Sequence, residues 1–124
     1  MYAQRASNAY KAVDLNSAPK QDILRRLYER FLQDIEQGRV AIMTRDIVAK
    51  GKVLDHALRI VNELEASLDH ASAPELCGNL ERLYRYVTEQ IHVASTKLDP
   101  KPLVEVTKLM SELAASFREA SIRR

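Results

Sequence analysis

The strongest constraint on this chain is a repeat of apolar residues at three- and four-residue intervals through four long segments. The last segment is the clearest: Leu103, Val106, Met110, Leu113, Phe117 and Ala120 alternate by three and four. That spacing puts side chains on one stripe of an α-helix and scatters them over both faces of a strand. In the second segment Ile47, Leu54, Val61 and Leu68 lie seven apart, the interval of a seam between packed helices. The first carries a wide stripe of Ile23, Leu24, Leu27, Tyr28, Phe31, Leu32 and Ile35. The third carries Leu76, Leu80, Leu83, Val87, Ile91 and Ala94. No period-two run and no Asn-Gly or Asp-Gly hairpin turn competes with the helical reading.

The breaks between segments are short. Asn16-Ser17-Ala18-Pro19 offers a capping side chain and a first-turn proline. Thr44-Arg45-Asp46, Asp69 to Pro74, and Asp99-Pro100-Lys101-Pro102 separate the rest. Connections this short make successive helices antiparallel neighbours. The expected fold is all-α: an antiparallel up-down four-helix bundle over residues 19–124, with an N-terminal arm or short helix over residues 1–18. With 124 residues, arm and bundle are expected to form one domain. All three glycines, Gly38, Gly51 and Gly78, fall inside helical segments. Gly38 reads as tolerated, and Gly51 reads either as tolerated or as a close approach of two helices.

Charge narrows the function. The 19 basic and 17 acidic residues are interspersed, so no cationic stripe marks a nucleic-acid face. The single Cys77 permits no intramolecular disulfide and suits a reducing compartment. No apolar run approaches the roughly 18 residues of a membrane span, and the N-terminus lacks the apolar region of a signal peptide. The expectation is a cytoplasmic protein that is neither membrane-bound nor bound to nucleic acid.

Catalytic groups are scarce. Cys77 has no histidine within a helical turn and reads as a small buried residue. Glu89 and His92 form one Glu-x-x-His pair, where di-iron bundles need two such pairs and two more glutamates. No metal, cofactor or enzymatic activity is expected. His56-Ala57-Leu58-Arg59 loosely resembles the phosphorylated segment of histidine phosphotransfer bundles. Ile60 stands where those proteins place a glycine that admits the docking partner. A phosphotransfer role for His56 is the alternative reading. The apolar residues beyond the seams, with Tyr84 and Tyr86 flanking the third, point either to broad packing or to a face that another helix covers.

Ordered pieces of the chain resemble the flagellin-specific export chaperones of the FliS family. They are Asn8-Ala9-Tyr10, then Ser17-Ala18-Pro19 before Ile23-Leu24-Arg25-Arg26-Leu27-Tyr28, and Asp46 to Gly51 with Ala57, Ile60, Leu64 and Leu68-Asp69. Asn79-Leu80, Leu83-Tyr84, Tyr86 and Ala94 follow, and then Leu103, Glu105-Val106, Leu109 and Leu113. The sequence departs from the family at Arg26, at Glu29-Arg30, at Glu89-Gln90 and at Phe117, where the family has Met, Asp-Gly, a basic pair and Trp. The resemblance implies a chaperone that binds the disordered C-terminal segment of flagellin, prevents its premature polymerisation and delivers it to the flagellar type III export gate. Some members also bind regulatory proteins. It further implies an N-terminal arm that covers part of the client surface. The client contacts expected on this reading are Tyr10, Ile23, Leu27, Tyr28, Leu83, Tyr84 and Tyr86, with a place in the bundle core as the alternative for Ile23, Leu27 and Leu83.

Overall fold

The structure, a computed structural model, describes the backbone of residues 20–123 and the side chains of residues 22–115. The arm and Tyr10 lie outside the described residues, as do the side chains of Phe117 and Ala120. Four helices follow one another: α1 (Lys20–Met43), α2 (Ile47–Ala66), α3 (Pro74–Lys97) and α4 (Lys101–Arg123). Among the described residues the fold is the expected four-helix bundle. Each helix packs on its chain neighbour, and α4 closes the ring against α1.

Local chemistry sets the turns. The Asp46 side chain accepts a hydrogen bond from the Ala49 N–H at 3.1 Å and caps α2. Thr44 donates both its N–H and its hydroxyl to the Val40 carbonyl, each at 2.9 Å, and so ties the turn to the end of α1. Between them Arg45 adopts φ 61°, a left-handed conformation that reverses the chain. Leu98 does the same at φ 52° after α3, and Pro102 lies in the first turn of α4, where its missing N–H costs nothing.

The core follows the stripes with a shift of one position in places. α1 buries Leu24, Tyr28, Phe31, Ile35 and Ile42; α2 buries Leu54, Ala57, Ile60, Val61, Leu64 and, just past its end, Leu68. In α3 the buried line is Cys77, Leu80, Tyr84, Val87, Ile91 and Ala94, so Tyr84 takes the place expected for Leu83. Leu76 and Leu83 pack on the rim of the core instead. Ile47, expected on the seam, is 50% exposed because it opens α2 at the end of the bundle, beyond the last core layer.

The close helix approach is at Gly38, not Gly51. A Cβ on Gly38 would lie 2.4 Å from Leu54 Cδ2, so the Leu54 side chain of α2 packs directly on the bare backbone of α1. A Cβ on Gly51 would meet nothing within 4 Å. Gly51→Ala is therefore expected to raise stability by about 1 kcal/mol, the helix-propensity difference. In a thermal melt of the two proteins, an unchanged or lowered midpoint would contradict this.

Candidate functional site

Two polar contacts fix the helix faces. Asp34 on α1 meets His56 on α2, and Tyr86 on α3 donates its hydroxyl to Glu105 on α4. Asp34 therefore faces α2. Leu27, seven residues earlier, shares that face, and Ile23 lies one turn below it. Both are half-buried. Tyr86 faces α4, and Leu83, three residues before it, lies on the same side of α3. The expected contact residues thus divide between two grooves, α1–α2 and α3–α4, on opposite sides of the bundle.

Tyr28 and Tyr84 belong to neither groove. Both rings are fully buried, and their hydroxyls hydrogen-bond to each other across the bundle interior. In this arrangement a partner reaches them only if the helices part. Tyr86 is the opposite case, 40% exposed. Its hydrogen bond to the Glu105 carboxylate holds the phenol proton and pushes its pKa above the usual tyrosine range.

Apolar side chains are also left at the surface. Val40, Met43, Ile47 and Val48 bracket the α1–α2 turn, and Val104 opens α4 at the same end of the bundle. Their exposure ranges from 45% at Val40 to 83% at Val48, so core packing does not use them. A shallow depression on the outer side of α3 is lined by Arg85, Thr88, Glu89, His92, Val93 and Thr96. Among the described residues no group of three or more His, Cys, Asp or Glu is arranged to hold a metal ion. No helix among them is long and apolar enough to cross a membrane.

Cys77 is fully buried, and burial, with the charge of Asp69 nearby, pushes its thiol pKa up. A thiol so placed is a poor nucleophile.

The polar centre that sequence reasoning missed is Asp34. It is 2% exposed and the one buried charged residue among those described. His56 Nδ1 lies 2.5 Å from its carboxylate, and Arg30 Nε lies 3.6 Å away. The available sign was an acidic residue inside the α1 apolar stripe, between Phe31 and Ile35. Removing His56 strips this carboxylate of its nearest partner. His56→Ala is expected to cost about 1–3 kcal/mol, and clearly less in an Asp34→Asn background. Equal losses in the two backgrounds, by urea denaturation, would show that the pair carries no coupling.

A helical bundle with surplus apolar surface and little reactive chemistry matches what comparison with known proteins shows. Residues 2–124 match the family model described as flagellar protein FliS. The chain belongs to the FliS family. It is 31% identical over 121 residues to the flagellar secretion chaperone FliSB of Pseudomonas aeruginosa, covering 94% of this chain and 96% of that protein. It is 30% identical over 127 residues to the flagellar secretion chaperone FliS of Salmonella typhimurium, covering 98% and 93%. The Bacillus subtilis protein of the same name is 26% identical over 120 residues. The FliS relatives are named chaperones, and with them this chain takes the coarse role of a flagellar secretion chaperone.

Proposed function

We propose that this FliS-family chain binds the C-terminal segment of flagellin in the cytosol, holds it from polymerising and hands it to the flagellar type III export gate. It acts by binding rather than by catalysis. The observation that carries the reading is the family match over nearly the whole chain, to relatives named flagellar secretion chaperones. The surface supports it physically. An amphipathic client helix released from its own partners exposes an apolar stripe, and the half-buried Ile23, Leu27 and Leu83 with the exposed residues from Val40 to Val48 offer apolar surface to cover it. Ordering a disordered client costs entropy, which a long wrapped contact offsets.

Within this reading Ile23, Leu27, Leu83 and Tyr86 are accessible for client contact at the groove edges. Tyr28 and Tyr84 contribute by shaping the core beneath. Tyr10 belongs to the arm, which acts as a plug displaced by the client. Regulatory proteins, which some family members also bind, are a further partner class within this reading.

The test is co-purification with full-length flagellin and with flagellin lacking its C-terminal segment. Capture of the first alone is expected. Equal capture of both, or of neither, would overturn the reading. Deleting residues 1–18 should tighten client binding, because a plug lowers apparent affinity by the fraction of chaperone that is open. Unchanged affinity would remove the arm from the mechanism.

A further inference from the structure

The α1–α2 groove also holds a charged section whose lining includes none of the client contacts proposed above. Around its middle it opens into a trough of about 770 Å³, whose wall includes Arg30, Asp34, Gly51, Lys52, His56 and Arg59. Its charge is mostly positive toward solvent. Asp34 is buried, and its carboxylate is taken up by His56 and Arg30. Asp55, also on the wall and 58% exposed, is paired with Arg59 at 2.7 Å. Lys52 is exposed and makes no ion pair among the described residues. The Arg30 and Arg59 side chains are 60% and 74% exposed, so both remain open to an incoming group.

Gly51 is the independent sign. It lies inside α2, where glycine weakens a helix. No internal cause accounts for it: its φ is not positive, and a side chain there would touch nothing within 4 Å. A glycine on the wall of a trough leaves backbone bare for close approach from outside. Val53, half-buried on the same wall, is an apolar contact beside the cations.

We propose that this trough docks an acidic amphipathic helix from a partner protein other than the flagellin client. A concave channel between two helices fits a rod and not a plane, which argues for a helix over a membrane surface. A second copy meeting it face to face would set Lys52 and Arg59 against their own counterparts, a repulsive contact. An acidic helix sets carboxylates against Arg30, Lys52 and the outer face of His56, with its backbone close over Gly51 and an apolar side chain on Val53.

The test uses the full-length, isotope-labelled protein and a synthetic helix-forming peptide with Leu at three- and four-residue spacing and Glu elsewhere. Its twin carries Gln for every Glu. Amide shifts are expected to cluster at Arg30, Gly51, Lys52, His56 and Arg59 with the Glu peptide and not with the Gln twin. They should weaken as salt shortens the screening length below its value of about 8 Å at physiological ionic strength. Lys52→Glu with Arg59→Glu should weaken binding roughly tenfold or more. Gly51→Leu should abolish it while circular dichroism shows an intact or more stable bundle. Neither variant should change capture of the flagellin C-terminal segment. No binding, shifts elsewhere, or equal binding of the Gln twin would overturn the proposal. So would preferential binding to phosphatidylglycerol vesicles, self-association through this face by sedimentation, or loss of flagellin capture in the variants, which would make the trough the client's own groove.

Discussion

Replacing Tyr28 by alanine is expected to destabilise the bundle by about 3–5 kcal/mol, the range for emptying the site of a large buried ring. Tyr28 is fully buried on α1, and its hydroxyl meets that of Tyr84 on α3, so one substitution removes core volume and a link between diagonally opposed helices. A protein of this size often has only about 5–15 kcal/mol to lose. The variant should therefore unfold at much lower urea than the parent, and a loss under about 1 kcal/mol would show that the ring is not part of the core. Tyr28→Phe and Tyr84→Phe keep the rings and ask about the hydroxyls alone. Each should cost about 1 kcal/mol, and the double variant less than the sum, since the two hydroxyls share one hydrogen bond. The phenylalanine variants also separate core from client contact. Normal capture of flagellin by both would leave the tyrosines with a purely internal role, and lost capture by a folded variant would assign them a direct one.

The tyrosines show where pattern reading stops. The three-four spacing was enough for four helices, their order and their approximate ends, because a stripe needs only sequence distance. It does not resolve which of two adjacent residues points inward. Leu83 and Tyr84 differ by about 100° around α3, and hydropathy favoured Leu83. The ring of Tyr84 goes inside because a partner hydroxyl waits there, and that partner lies 56 residues away in sequence. Asp34 and His56 were opaque for the same reason: each looks like a surface residue until the other is brought to it. The surface of the candidate site was less legible than the core. Ile23 and Leu27 line one groove and Leu83 and Tyr86 another, a division set by which helices are neighbours rather than by any single helix's pattern. Ile47 obeys the seven-residue interval yet is exposed, since the interval carries no information on where the neighbouring helices end.

Gly38 and Leu54 form the other contact that sequence distance could not show, and the sharper prediction rests on them. Gly38→Ala is expected to destabilise by about 1–2 kcal/mol, although the same change in an open helix gains about 1 kcal/mol. The added Cβ would fall 2.4 Å from Leu54 Cδ2 and 2.9 Å from its Cγ. The Cδ2 methyl can swing away only into other core atoms, because Leu54 is itself 2% exposed. Either the side chain leaves its rotamer or α1 and α2 move apart, and each response loosens the contact beside the Asp34–His56 pair. Leu54→Ala alone should cost about 2–5 kcal/mol by leaving a cavity. In that background the obstruction is gone and the new methyl group fills part of the void. Gly38→Ala should then change sign and become stabilising. A double-mutant cycle read by urea denaturation gives the answer directly. If Gly38→Ala costs the same with and without Leu54, the close approach of α1 to α2 is not what holds glycine at position 38.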